Sequence, residues 1–122
     1  MRAHFVACVI AGALLAGCGG TKEFAVDVPG GDAERGHAAL VAYQCGACHV
    51  IAGVAGARGQ VGPPLKEFRH RVYIAGRLPN EPTTLIRFIQ NPPAMIEDTA
   101  MPEVGVSEAQ ATDMAAYLYR LE

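Results

Sequence analysis

Tryptophan is missing from this chain, aromatic residues are only 7% of it, and no apolar stretch approaches the roughly 20 residues that a membrane-spanning helix needs. A basic surplus is missing too: ten Lys and Arg stand against twelve Asp and Glu, for a formal charge of −2. A nucleic-acid binder would carry the opposite imbalance, so that class is set aside. With 51% hydrophobic and 18% charged residues, the chain is too apolar to be a disordered tail. Long β-branched runs are also lacking, which removes parallel-sheet architectures. What is present is 14 glycines and eight prolines in 122 residues, a composition of many turns around a thin core. Small chains of this kind recruit a disulfide, a metal or a cofactor.

The first four residues carry one arginine, and residues 5–15 form an unbroken apolar run that ends in small side chains. Its length suits the apolar stretch of an export signal and is too short to span a bilayer. Leu15-Ala16-Gly17-Cys18 follows and resembles the lipobox of bacterial lipoproteins. That resemblance implies cleavage before Cys18, lipid on its sulfur, and a mature protein exported and anchored to a bacterial membrane. Two or more acyl chains hold a protein stably on a membrane, where one holds it only marginally. The expected organisation is a signal peptide at residues 1–17, a lipid-anchored flexible linker at 18–30 and one folded domain at 31–122.

Of the four cysteines, Cys8 lies in the discarded segment and Cys18 is assigned to lipid, which leaves Cys45 and Cys48 in Cys45-Gly46-Ala47-Cys48-His49. Such a pair serves a thioredoxin-like redox site, half of a zinc site, or covalent haem attachment. Zinc would need two more ligands at motif spacing, and the remaining mature histidines, His37 and His70, stand alone on either side of the motif. A thioredoxin-like site expects βαβ patterning, which the chain does not carry. Haem attachment uses all five positions: two thiols add across vinyl groups, and the histidine of the next turn reaches the iron. His37 is expected on the solvent side of a helix and His70 on a charged surface.

From Gly31 onward the chain resembles class I c-type cytochromes. The resemblance implies an all-α class I cytochrome c fold: three main helices and Gly/Pro-rich loops around one covalent haem c. Gly62-Pro63-Pro64-Leu65 matches a family segment, which implies that the Pro63 carbonyl accepts the Nδ1 hydrogen of His49. Thr99-Ala100-Met101-Pro102 matches the family's methionine loop, which implies Met101 as the second axial ligand beside His49. Met95 follows Asn91-Pro92-Pro93 too closely to be that ligand, and Met114 falls on an apolar helical stripe. Phe88 and Asn80 depart from better-known relatives, which carry a tyrosine and a tryptophan nearby. Arg77, Asn80 and Tyr73 are therefore the candidates to meet the haem propionates.

Helix signals place these groups. Asp32 is an N-cap with Glu34 in the first turn, and Gly36, Leu40 and Tyr43 mark one face of a helix leading to Cys45. Residues 82–90 read as a helix with proline at its start, stopped by Asn91-Pro92-Pro93. Ser107-x-x-Gln110 is a capping box that opens a final helix through Ala111, Met114, Ala115 and Leu118. A further short turn is expected near residues 65–69. The family's first and last helices cross where a glycine meets an aromatic, and Gly36 and Tyr117 resemble that pair.

An iron with both axial positions filled exchanges single electrons and has no open site for substrate. The expected function is a membrane-tethered, monomeric single-haem electron carrier between respiratory-chain components, not an enzyme. Residues 74–122 also resemble cytochrome c domains attached to oxidase subunits, so a haem-copper terminal oxidase is an expected redox partner. The alternatives are a fixed electron-entry subunit of such an oxidase, or a ligand-binding haem sensor or small haem enzyme if Met101 is displaceable. Basic residues Arg58, Lys66, Arg69, Arg71 and Arg77 cluster against one acid, Glu67, a polarity that could steer docking.

Overall fold

The computed structural model describes residues 26–122. The apolar run at residues 5–15, Cys18 and linker residues 19–25 lie outside the described residues. Helix α1, Ala33–Ala42, opens at Asp32, whose extended backbone turns its carboxylate to accept from the Arg35 amide at 2.9 Å. One otherwise unpartnered amide of the first turn is thereby satisfied. The chain leaves α1 through Tyr43 and enters a 3-10 turn at Cys45–Ala47. A second 3-10 turn at Phe68–His70 overlaps the short turn expected near residues 65–69.

A small hairpin follows, pairing β1 (Tyr73–Ile74) antiparallel with β2 (Leu78–Pro79). Three residues join them, and the first two, Ala75 and Gly76, are the centre of a turn closed by the Arg77 N–H on the Ile74 carbonyl, with φ of 50° and 70°. Left-handed backbone at both central positions matches the right-handed twist of paired strands. No reading of the sequence foresaw this turn, because alanine rarely occupies such a position.

Helix α2 spans Pro82–Gln90 with proline in its first turn, and it buries Leu85, Phe88 and Ile89. Asn91-Pro92-Pro93 ends that helix and also starts another. The Asn91 amide donates to the Arg87 carbonyl at 3.1 Å, while its side chain accepts from the Ala94 amide, capping the four-residue α3, Pro92–Met95. Proline needs no amide partner at a helix start, so one Pro-Pro pair serves as both a stop and a beginning. Helix α4, Glu108–Leu118, opens with the complete capping box between Ser107 and Gln110.

The core forms where α4 packs on α1 and α2, with Ala111, Met114 and Ala115 wholly buried. The α1–α4 crossing corrects one expectation. Gly36 meets the backbone of Asp113 and Met114, and a Cβ there would strike the Asp113 carbonyl. Tyr117 lies one turn further along α4 and packs edge-on against His37. The close approach is thus backbone against backbone. The domain boundary at residue 31 is also corrected: Val28 is buried in the core, and its carbonyl accepts from the Gly31 amide at 3.0 Å. Residues 28–30 therefore belong to the packed unit and not to a flexible linker.

Asp113 is the one buried charged residue among those described. It accepts from the Asp32 amide at 2.8 Å and from Arg35 through Nε and Nη2, each at 2.8 Å, so one carboxylate ties the start of α1 to the middle of α4. The Arg35 hydrogen bonds hold the Asp113 carboxyl below its ordinary value, against the opposing effect of burial. A carboxylate with a depressed folded-state pKa contributes stability above the ordinary carboxylate range and loses it as pH falls through the lower folded value. We therefore expect Asp113→Asn to lower the urea midpoint at neutral pH. The gap between wild type and variant should shrink as pH drops below about 4, as measured by equilibrium unfolding over a pH series.

Candidate functional site

The Cys45–Ala47 turn places Cys45, Cys48 and His49 in little more than one helical turn directly after α1. The His49 amide donates to the Cys45 carbonyl at 3.0 Å, so the histidine is held by the turn that carries the first cysteine. All three side chains are partly exposed, and Cys45 and Cys48 are not joined to each other in a disulfide. Burial pushes the Cys45 thiol above its ordinary value, offset in part by a backbone N–H.

The segment at residues 57–65 wraps this turn through three close approaches. The Gly46 Cβ position lies 2.7 Å from the Ala57 Cβ; at Gly59 a Cβ would strike the backbone of Ala47 and Cys48; at Gly62 it would strike the His49 ring. Backbone bonds seal the same contacts: Gly59 N–H to the Gly46 carbonyl at 3.0 Å, Gly62 N–H to Cys48 at 2.8 Å and Leu65 N–H to Val50 at 2.8 Å. Sequence reasoning missed Gly46 and Gly59. The signal available was density, five glycines between residues 46 and 62.

The wrap ends at Pro63, whose carbonyl lies 2.7 Å from His49 Nδ1. A carbonyl can only accept, so Nδ1 carries the hydrogen and the lone pair of the neutral ring sits on Nε2. An imidazole in this tautomer is set up to bind a metal through Nε2, with basicity raised by the bond behind it. Met101, on the other side of the domain's sequence, lies in the extended segment between α3 and α4. It is half-buried against the core, and its amide donates to Thr99 Oγ1 at 3.2 Å. Met95 also packs partly on the core, at the end of α3, and Met114 is buried within α4. Paired thiols, a directed imidazole and a core-facing thioether are together a donor set that fits covalent haem.

Of the expected propionate partners, Asn80 and Arg77 make hydrogen bonds within the protein. Both hydrogens of the Asn80 amide are committed, to the Phe68 and Arg71 carbonyls at 2.9 Å each, and its oxygen accepts from Tyr119 at 2.8 Å. Asn80 thus ties the Phe68–His70 turn to the end of α4, and no N–H remains on it for a propionate. Burial, with the Glu81 charge adding, pushes the Tyr119 hydroxyl up to about 12, so it stays a donor at any physiological pH. Arg77 forms a two-point pair with Asp98 at 2.6 and 3.0 Å, and its hydrogen bonds hold the Asp98 carboxyl below the ordinary range. Tyr73 is exposed on the hairpin. His70 is exposed and accepts from Arg69 Nε at 3.0 Å, while His37, expected on the solvent side, reaches the Gly53 carbonyl.

Comparison with known proteins agrees with this geometry. The family model described as Cytochrome c matches residues 33–122. Among solved structures, cytochrome c2 from Rhodobacter sphaeroides is similar, with a TM-score of 0.56 and 22% sequence identity over 75% of this chain and 96% of that one. No curated protein matches the sequence.

The contact between Gly62 and His49 can be tested directly. Gly62→Ala is expected to push the imidazole off Pro63, with a loss of about 1–3 kcal/mol from overpacking. The hydrogen-bonded Nδ1–H proton resonance of His49 should disappear, as seen by NMR.

Proposed function

Because the chain belongs to the cytochrome c family, an electron-transfer family that holds haem c covalently, we propose how this chain's residues divide that work. Cys45 and Cys48 form the two thioether links, His49 and Met101 are the axial ligands, and Cys18 is the lipid attachment point of a membrane-tethered carrier. Bound in this way, the haem supplies reversible one-electron exchange at low-spin iron. The observation that carries the reading is the His49–Pro63 bond, which fixes the imidazole tautomer and leaves Nε2 for a metal. The turn from Cys45 to Cys48 supports it by presenting two thiols beside that ring. Met101 supports it as a thioether packed against the core in the non-helical segment between α3 and α4.

The carrier's route to partners follows from charge. Arg69 reaches Glu122, Arg77 reaches Asp98, and Arg71 donates to the Pro64 and Lys66 carbonyls. Arg71 keeps its charge on these neutral carbonyls, so steering toward an acidic redox partner, such as the docking face of a haem-copper oxidase, is assigned to Arg71 together with the exposed Lys66 and Arg58. Tethering by Cys18 raises the local concentration of the domain near membrane enzymes.

Spectroscopy of the purified protein decides the ligand assignment. We expect a sharp reduced α-band, the weak far-red band of methionine-ligated ferric haem, and no carbon monoxide binding to the reduced form. Met101→Leu should abolish the far-red band and admit carbon monoxide, whereas Met95→Leu should do neither. Carbon monoxide binding by the wild type would instead support a sensor. For the anchor, Cys18→Ser is expected to move the protein from the membrane fraction to the soluble fraction with its haem spectrum unchanged.

A further inference from the structure

We propose that His37 and Tyr117 are positioning residues for the haem-attachment turn, acting through the loop at residues 51–57. This rests on the reading of Cys45, Cys48 and His49 given above. Two neighbouring carbonyls of that loop are each captured by a side chain from a different helix. The Tyr117 hydroxyl donates to the Ala52 carbonyl at 2.6 Å, and His37 Nε2 donates to the Gly53 carbonyl at 3.0 Å. The two rings meet edge-on, with centroids 5.3 Å apart at 61°, so each braces the other. Gly53 has a φ of 78°, and a Cβ on it would strike the Tyr117 oxygen, so the loop's path beneath the clamp admits only glycine.

The loop's ends are held by the Val50–Arg58 bridge and by buried Ile51, but between them its own turn is closed only by long bonds: Val54 N–H to Ile51 and Ala57 N–H to Val54, each at 3.2 Å. Ala52, Gly53, Ala55 and Gly56 are exposed. The loop's far end, Ala57, is buried and is the residue pressed on Gly46, the spacer between the two cysteines. A shift of the Ala52–Gly53 carbonyls therefore passes through one short turn into the spacing of the thiols. Neither clamping ring is buried, so apolar packing alone does not account for a histidine and a tyrosine at these two places. Because the acceptors are carbonyls, the clamp needs the Nε2 hydrogen and the hydroxyl but no charge.

The test uses the full-length holoprotein. Tyr117→Phe keeps the ring and removes the hydroxyl, His37→Leu removes the donor, and His37→Gln keeps an N–H of similar reach. Losing one neutral hydrogen bond should speed amide hydrogen exchange at Val54 and Ala57 about fivefold to tenfold in Tyr117→Phe and His37→Leu. Leu118 in α4 should keep its protection, and His37→Gln should stay within about twofold of wild type. The haem methyl proton shifts of the oxidised protein should move in the two disruptive variants and return in His37→Gln. Unchanged loop exchange would overturn the proposal. So would equal loss of protection at Leu118, or a loosened loop with wild-type haem methyl shifts. Absence of a haem spectrum would fail the site reading instead, and exchange at Val54 and Ala57 would still decide whether the clamp exists.

Discussion

The bond from His49 Nδ1 to the Pro63 carbonyl is the constraint around which this domain is arranged. It exists only because the chain from residue 57 to 65 can lie against the Cys45–Ala47 turn at backbone distance. That proximity requires bare Cα positions at Gly46, Gly59 and Gly62. Overpacking at any of the three would spread the two segments, and the imidazole would lose its fixed tautomer before the fold as a whole was lost. Part of the chain's glycine content, at these three positions, is thus spent on close packing and not on loop flexibility.

The α1–α4 scaffold holds that arrangement in place. Gly36 lets the two helices meet at their backbones, and the Asp113 carboxylate pins the start of α1 with three hydrogen bonds. The position of Cys45 is then the position of the end of α1, carried forward by Tyr43 and Gln44. Tyr43 adds a tie of its own, its hydroxyl donating to Gln110 Oε1 at 2.9 Å, so the same glutamine that completes the α4 cap also braces the exit of α1.

Much of this was legible from local signals. Asp32, Ser107-x-x-Gln110 and Pro82 mark helix starts by chemistry that acts within one turn, and α1, α2 and α4 stand where those residues placed them. The Cys45–His49 motif and the Pro63 segment are likewise short-range patterns. The misses were long-range or dual-use. Gly36 was paired with the wrong residue of α4 because a crossing's register depends on how ridges interleave, which spacing along one helix does not reveal. Asn80 was assigned to a propionate from its place in a family pattern, whereas its amide is spent on the Phe68–His70 turn and Tyr119. His37 looked like a surface residue because its partner, Gly53, is sixteen residues away in a loop without periodicity.

Asn91 serves two helices at once, closing α2 with its backbone and opening α3 with its side chain. An insertion or deletion beside it would break both bonds together, so the junction has no slack to absorb a change in chain length. Such a change is more easily accommodated after Ile96, where the chain runs without a helix to Ser107 and carries Met101. The reach of the thioether is thus the adjustable dimension of the domain, and the helical frame behind it is the part cut to a single size.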